Sequence, residues 1–293
     1  MQIMNGDLED GNGTTKFWDT WGEETRITTV PGYGGEGYAI KSYSRTHYSH
    51  AQAQVINTDS ITEEGARLGF WGKIKFETNG VTVPCNTRTW GGEERCADLR
   101  TYSNKNGRRE YHRVGLVLDD TYDTDDGWYT ISGIHRMTEH QVGENVYFKM
   151  YLDGSHTNMD IIVDNMEVKE LPKQCDAMVV NPSFKDGIKY WSPCDDSKER
   201  VDLSLVEGVD GVGDYAIAAG NRDHRWRGIM QLLDARCFTP GEEITITAKF
   251  KLLNSTGHGK FGRRVMCCSI TIGKASLILF LFFHTIRQAK IVM

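Results

Sequence analysis

Planar polar side chains and aromatic rings recur at matched places in the two halves of this 293-residue chain. The recurring set is Arg45, Tyr48 and Gln54 in the first half and Arg222, Trp226 and Gln231 in the second. The arginines and the glutamines are each 177 residues apart, and the aromatic pair is one residue out of step. Guanidinium and amide groups are planar and can pair with two adjacent hydroxyls, while an aromatic ring stacks on the C–H face of a pyranose. The pattern therefore favours carbohydrate recognition.

These residues belong to a longer duplicated sequence. The segment 5–11 is echoed by 181–187, and the segment 37–45 is echoed by 214–222, at an offset of 176–177 residues. This offset far exceeds the roughly 20–50 residues of solenoid repeats, so it indicates tandem domains. We expect a complete first domain over 1–172, a linker over 173–180 and a truncated second domain over 181–262.

The sequence predicts that the elements which position the site are β-strands. Apolar and polar residues alternate over 67–76, where Trp71 shares the polar face with Lys73 and Lys75, and again over 243–252. Such alternation is typical of half-buried antiparallel strands. Further strands are predicted over 114–118, 128–133, 145–152 and 160–168. With no long helical periodicity, the fold class is all-β: an antiparallel β-sandwich jelly roll in two tandem copies, the second incomplete at its C-terminus.

Two segments do not fit this frame. The stretch 79–106, with Cys85, Trp90 and Cys96, is interpreted as an inserted loop. The last residues, 263–293, contain the apolar run Leu277–Phe283, which is far shorter than the roughly 20 residues of a membrane span. Three interpretations remain: an aberrant end that is not native, a genuine divergent strand, or a membrane-associating tail. The first is favoured, because half a sandwich would expose strand edges.

Composition narrows the class of partner and the compartment. The net charge of −6 gives nucleic acid no electrostatic handle. Among the seven cysteines, Cys85 with Cys96 and Cys175 with Cys194 have spacings that suit disulfides of a secreted protein, although free thiols are the alternative and the sequence does not fix the pairing. Met1 stands just before the repeated motif and leaves no room for a leader, so either the protein is cytoplasmic or the sequence lacks its true start. We favour the second alternative and expect an extracellular or cell-surface protein.

The ordered motifs resemble carbohydrate-binding modules of families 4, 9 and 22, which have a galactose-binding-like β-sandwich. The resemblance rests on the opening motif at 5–11 followed by Trp18, on Gly-Tyr-Ala-Ile at 37–40, and on the closing segment 161–168. It implies a groove on one sheet. In that groove the arginines and glutamines named above bind sugar, and Tyr48, Trp226 and Trp21 stack on it, with Trp71 as a further candidate. It also implies a structural Ca²⁺ held by Glu9 and Asp164 of the first domain.

The expected function is therefore non-catalytic binding of a polysaccharide, β-glucan-like or xylan-like, by a monomer that is associated with a glycoside hydrolase. No Gly-x-Ser-x-Gly, P-loop or dinucleotide motif is present in the chain. Two alternatives stay open. The chain could itself be a glycosidase, which would need a buried carboxylate pair. It could instead be a cell-surface adhesion protein, which would need an exposed apolar patch.

Overall fold

The structure is a computed structural model that describes most of the first half of the chain and parts of the second. The described residues are 15–85, 96–118, 126–173, 175, 179–193, 202–208, 213–220, 228–237, 252–253, 259–260, 267–273 and 276–282. Their regular structure consists of antiparallel strands with short 3-10 turns, which confirms the all-β fold class. In the part of the chain that is described, no helix is long and apolar enough to cross a membrane.

Eleven strands of the first half form one hydrogen-bonded path in the order β1-β4-β10-β7-β8-β9-β5-β11-β3-β2, with β6 beside β5. They are β1 (Asp19–Trp21), β2 (Arg26–Pro31), β3 (Tyr38–Tyr43), β4 (Ala51–Val55), β5 (Arg67–Thr78), β6 (Val81–Thr82), β7 (Asp98–Lys105), β8 (Arg108–Leu118), β9 (Trp128–Arg136), β10 (Tyr147–Asp153) and β11 (Asp160–Leu171).

The path folds over at β8, which makes two layers. The front sheet is β1, β4, β10, β7 and β8; the rear sheet is β9, β5, β11, β3, β2 and β6. Strand β8 pairs with β7 over most of its length and with β9 at its end. At the crossing Gly115 is paired with Gly133, and a Cβ on Gly133 would overlap the backbone of Val114, so only glycine fits there.

The core lies between the two layers. Alternation along β5 points Leu68, Phe70, Ile74 and Phe76 inward from the rear sheet. The front sheet contributes side chains such as Phe148 to the same cluster. The strands predicted at 67–76, 114–118, 128–133, 145–152 and 160–168 are therefore confirmed, most of them as parts of longer strands. The strand predicted over 243–252 lies almost entirely outside the described residues.

The interpretation of 79–106 as an inserted loop is wrong in its second part. Strand β7 lies inside that stretch, paired with β10 on one side and β8 on the other. Its inward side chains include Thr101 and Ser103, so the apolar alternation that reveals a strand is missing. The preceding segment is closed by a disulfide between Cys85 and Cys96, one of the pairs that the spacing suggested.

The second half forms smaller sheets. Strands β12 (Ser192–Pro193), β15 (Ile229–Leu232), β19 (Ser276–Phe282) and β18 (Cys267–Gly273) make one sheet in that order. Strands β13 (Asp202–Glu207) and β14 (Tyr215–Gly220) pair with each other, as do β16 (Leu252–Leu253) and β17 (Gly259–Lys260). Most of the apolar run of the tail is thus strand β19. The other disulfide joins Cys175 to Cys237, whereas the spacing had suggested Cys194 as its partner.

The second half packs on the outer surface of the rear sheet. The ring of Tyr190 fills the space above Gly69, where a Cβ would overlap it, and packs with Leu171 and Ile134. The Tyr190 amide donates to the Ser132 hydroxyl at 2.9 Å. The domain boundaries themselves stay predictions, but this contact shows that the two halves are not connected by the chain alone.

Candidate functional site

Five aromatic side chains form a continuous row on the outer face of the front sheet. This aromatic strip consists of Trp21, Tyr102, Tyr111, Tyr147 and Tyr151. Trp21 stacks on Tyr151 with ring centroids 4.6 Å apart and planes 14° apart, and its ring is 5.2 Å from that of Tyr102. Tyr102 continues the row to Tyr111 at 5.0 Å and to Tyr147 at 6.1 Å. Tyr111 is 54% exposed and Tyr147 is 44% exposed, whereas Tyr102 is 9% and Tyr151 is 4% exposed. Solvent therefore reaches the strip at Tyr111, at Tyr147 and at the partly exposed Trp21.

Strand periodicity and two alanines place these rings together. In β10, Tyr147 and Tyr151 point outward because Phe148 and Met150 point into the core. Strand β4 lies between Trp21 and Tyr151, and the residues it places opposite them are Ala51 and Ala53. Methyl groups leave room for the indole to lie across β4 and reach Tyr151, and Ala53 packs against the rings.

Paired ions line the strip. The Arg100 guanidinium lies 2.7 Å from the Asp153 carboxylate, and that of Arg113 lies 3.1 Å from the Asp98 carboxylate. Both aspartates are buried, while each arginine side chain is 25% exposed. The acids therefore hold planar guanidinium groups in place beside the tyrosines, with part of each group facing solvent.

A third ion pair supports the Trp21 end. Lys149 is buried, and its ammonium lies 3.1 Å from Asp19 and 5.6 Å from the centroid of the Trp21 ring. Burial alone would raise the pKa of Asp19, but the Thr20 amide and the Lys149 ammonium lower it below the ordinary value. Burial raises the pKa of Tyr151 to about 12, with Asp153 adding to the effect, so this phenol keeps its proton as a donor.

The strip has the form of a binding surface for an extended chain. It crosses five strands, β1, β4, β10, β7 and β8, which at about 4.8 Å between neighbours gives a length of about 19 Å. Stacked rings with charged planar groups beside them can bind the C–H faces and the hydroxyls of successive pyranose units.

No protein-family model matches the chain, and no curated protein matches it. The CBM22-1–CBM22-2 tandem domain of Paenibacillus barcinonensis Xyn10C is similar over 99% of this chain and 91% of its own, at 13% identity and a TM-score of 0.43. The CBM22-1 xylan-binding domain of Xyn10C covers 59% of this chain and 95% of its own, at 14% identity and a TM-score of 0.41. A cyclase from Fischerella sp. TAU is similar over 59% of this chain and 97% of its own length, at 11% identity and a TM-score of 0.36.

The chain resembles carbohydrate-binding modules of family 22. This is one of the families to which its motifs are similar. Because the identities are below 25% and the TM-scores are below 0.5, the likeness carries no conclusion about the ligand of this chain.

Of the residues predicted for the site, Trp21 is in the strip. Tyr48 is 53% exposed on the loop before β4. Its carbonyl accepts the Gly154 amide, which places this loop at the Asp153 end of β10. Arg222 and Trp226 lie outside the described residues, so their role stays a prediction.

Arg45 is placed differently from the prediction. It is 4% exposed, and its guanidinium donates to the Ser155 hydroxyl and to the carbonyls of His50, Tyr48, Ser155, His156 and Met159. Burial lowers its pKa to about 10, so it remains charged at neutral pH. The contacts to Ser155, His156 and Met159 join the loop 44–50 to the loop 154–159, and the contacts to Tyr48 and His50 fix the first loop itself. Arg45 is therefore a residue that fixes two loops and does not face the strip.

We expect Arg45→Ala to destabilise the first half by about 2–3 kcal/mol, or roughly 5–10 °C in melting temperature, because several buried carbonyls lose a charged donor. Differential scanning fluorimetry measures this, and Arg45→Lys should fall between wild type and Arg45→Ala, since an ammonium cannot reach all five carbonyls. An unchanged melting temperature together with weaker polysaccharide binding would instead restore Arg45 as a ligand contact.

The two predicted glutamines are also inside the protein. Gln54 is 1% exposed and is paired in register with Met150, a core residue, so its side chain faces the sandwich interior. Gln231 is 1% exposed and exchanges hydrogen bonds with the Val180 backbone at 2.8 and 2.9 Å. It also donates to the Tyr190 carbonyl at 3.3 Å. Neither amide is available to a ligand in this fold.

Trp71 lies on the opposite layer from the strip. It is in β5 of the rear sheet, and the Lys189 ammonium of the second half sits 5.6 Å from its ring centroid. The same ammonium pairs with Glu167. Trp71 thus contributes to the contact between the two halves and cannot share a groove with Trp21.

The sequence interpretation missed four tyrosines and two arginines of the site. Tyr147 and Tyr151 were inside a predicted strand, and outward alternation in Tyr147–Asp153 could have marked them as a pair. Tyr102 and Arg100 were missed because β7 was taken for a loop. Nothing local marks Tyr111 and Arg113, which belong to a mostly charged stretch of β8.

The predicted calcium site is only partly within the described residues. Asp164 is buried, and its two carboxylate oxygens accept the amides of Tyr33 and Asn165, each at 2.7 Å. Glu9, its expected partner, lies outside the described residues. Among the described residues no group of three or more His, Cys, Asp or Glu side chains could hold a metal ion. Asp164 thus anchors the loop after β2, and the calcium site stays a prediction.

Chelation tests that prediction. If Glu9 and Asp164 bind Ca²⁺, EDTA should lower the melting temperature, since an ion at 100 times its dissociation constant stabilises the folded state by about 2.7 kcal/mol. Added Ca²⁺ should restore the wild-type value. Asp164→Asn, which keeps one oxygen acceptor for the loop amides, should lose the response to EDTA. A melting curve that is the same with and without EDTA in the wild type would eliminate the site.

Proposed function

We propose that this chain binds a polysaccharide without cleaving it, and that the ligand lies along the aromatic strip. The observation that carries the proposal is the group of contacting rings on the outer face of the front sheet, in which Trp21 contacts both Tyr151 and Tyr102, and Tyr102 contacts the exposed Tyr111. An extended chain of β-linked pyranoses presents C–H faces at regular intervals, which suits a row of rings that crosses a sheet. The proposed ligand class is therefore a β-glucan-like or xylan-like polymer.

The ion pairs beside the strip favour binding over hydrolysis. A retaining glycosidase needs two carboxyl groups about 5 Å apart, and one of them must carry a proton. Asp98 and Asp153 are each held in an ion pair, with Arg113 and Arg100 respectively. We propose that both carboxylates position these arginines beside the strip and do not act as a catalytic pair. We propose that any hydrolytic activity belongs to an enzyme with which this chain is associated.

An extracellular location is part of the proposal. The two disulfides are compatible with a secreted protein, because such bonds persist in oxidising compartments and are rare in the cytosol.

Affinity electrophoresis of the whole chain tests the proposal. Xylan, mixed-linkage β-glucan and hydroxyethylcellulose in the gel should retard the protein, and the α-linked polymer glycogen should not. Reducing ends released from the same polymers are measured in parallel. The proposal predicts retardation by at least one β-linked polymer with no release. No retardation on any of them would overturn it, and release of reducing ends would replace it by the glycosidase alternative.

A further inference from the structure

Two exposed tyrosines lie neither on the aromatic strip nor on the loop beside it. Within the described residues the exposed tyrosines are Tyr48, Tyr111 and Tyr147, which lie on the strip or on the loop beside it, and Tyr38 and Tyr215, which do not. Tyr38 and Tyr215 are the same position of the duplicated Tyr-Ala-Ile motif, 177 residues apart. They are 41% and 40% exposed, and each is the first residue of its strand.

Single exposed aromatic residues are ordinary on protein surfaces. This pair is distinctive because both copies keep the ring and its exposure together with the Ala-Ile that follows it, and the copies diverge only from the next position, Lys41 in the first and Ala218 in the second. A side chain that is retained at an exposed position contributes little to the core, so its retention points to a ligand.

Tyr38 also borders a cleft. The cleft has a volume of about 530 Å³ and lies at the edge of the rear sheet, away from the strip. Its lining consists of Thr29, Val30, Pro31, Gly35, Gly37 and Tyr38. The volume is within the range of small-molecule sites, roughly 300–1,000 Å³. Two glycines and one ring in the lining give it open backbone beside an aromatic face.

The glycine loop that forms one wall is held in a fixed shape. Gly32 donates to the Gly37 carbonyl at 3.2 Å, and Gly35 donates to the Gly32 carbonyl at 3.1 Å. The buried Asp164 carboxylate accepts the Tyr33 amide at 2.7 Å. Gly35 has a φ of 77°, and a Cβ there would meet no other atom. A ligand can therefore approach the backbone of a preformed loop without displacing side chains.

We propose that the Tyr38 cleft is a second carbohydrate site that binds one neutral pyranose unit. The C–H face of the sugar stacks on the Tyr38 ring, and its hydroxyls bond to the backbone of the glycine loop and to Thr29. The site is separate from the strip and does not depend on it. With a single stacking ring its affinity is low, with a dissociation constant of roughly 1 mM.

The test uses a background in which two rings of the strip and the second copy of the exposed tyrosine are removed. The whole chain with Trp21→Ala, Tyr111→Ala and Tyr215→Ala is mixed with xylohexaose or cellohexaose. Saturation-transfer difference NMR then reports weak binding. We expect a signal from at least one of the two sugars, and we expect Tyr38→Ala in this background to abolish it. Tyr38→Phe should preserve it because the ring remains, and Val81→Ala, at another exposed apolar position, should leave it unchanged.

Two outcomes would overturn the proposal. One is the absence of any signal in the triple variant, and the other is a signal that Tyr38→Ala does not reduce. Circular dichroism checks that each variant is folded. As a second measurement, Tyr38→Ala in the otherwise wild-type chain should reduce the number of sugars bound at saturation while the affinity of the strip stays the same. If the strip bound no polymer, the proposed function would be wrong. The effect of Tyr38→Ala in the triple variant would still show whether the Tyr38 cleft binds a sugar.

Discussion

Trp21→Ala is expected to weaken polysaccharide binding about thirtyfold, which corresponds to about 2 kcal/mol. The indole joins Tyr151 and Tyr102 into one surface, with centroids 4.6 and 5.2 Å away. Its removal takes away one stacking face and frees the two tyrosine rings that it orders. Isothermal titration calorimetry with a soluble polymer that retards the wild type measures the change.

Trp71→Ala is the matched control for this substitution. Both residues are partly exposed tryptophans on strands, but Trp71 is on the rear sheet beside Lys189. We expect the Trp71→Ala variant to bind the polymer with a constant within about twofold of the wild type, since Trp71 is outside the strip. If Trp21→Ala bound as tightly as wild type, or if Trp71→Ala were the weaker binder, the ligand would not lie on the front sheet.

Asp234→Ala is expected to destabilise the protein by about 3–5 kcal/mol, because it leaves buried positive charge without its partner. Asp234 is fully buried and accepts hydrogen bonds from Arg236 at 2.7–3.1 Å. Its carboxylate also lies 3.6 Å from the guanidinium of Arg67, which is fully buried in β5 of the first half. Arg67 in turn donates to the Leu232 carbonyl at 3.2 Å. This cluster joins the two halves.

The pKa values give the pH range in which this contribution operates. Burial alone would raise the pKa of Asp234, but the hydrogen bonds from Arg236 lower it below the ordinary value. A carboxyl group whose pKa is lowered by folding stabilises the folded state above its unfolded pKa, about 3.9, and loses that contribution as the pH falls through the folded value. The full difference in free energy of unfolding between Asp234→Ala and the wild type should thus be present at neutral pH.

Glu63→Ala provides the comparison for Asp234→Ala. Glu63 also contacts Arg236, at 3.3 Å, but its side chain is 60% exposed. Exposed ion pairs contribute about 0–1 kcal/mol, so its urea midpoint should stay close to the wild type. Equal midpoints for Asp234→Ala and Glu63→Ala would mean that the buried cluster does not hold the halves together.

The strands that the sequence revealed have one apolar face. Strand β5 alternates Leu68, Phe70, Ile74 and Phe76 with polar neighbours, so it could be predicted with its inner face. Strand β7 was hidden because its inward positions include the polar Thr101 and Ser103, both buried. A strand whose inward positions combine apolar and polar side chains in this way cannot be recognised from hydrophobic periodicity.

The site residues also divide into those that the sequence identifies and those that only the structure shows. Arg45 and Gln54 have side chains that bind sugars well, yet the fold gives them to the protein's own loops and core. Trp21 was identified because its type suits stacking, but its partners Tyr102 and Tyr151 come from strands more than 80 residues further along the chain. No local pattern relates such distant residues.

The amino-acid sequence by itself determined the duplication, the all-β class and the kinds of side chain that could recognise a sugar, since composition and period-two alternation are local properties. Only the tertiary structure decided which of those side chains meet. Alternation gives each strand two faces, but the pairing of β1, β4, β10, β7 and β8 decides which face is covered by the other sheet and which is left to solvent. That pairing places the four tyrosines on the outer face of the front sheet and Gln54 on its inner face.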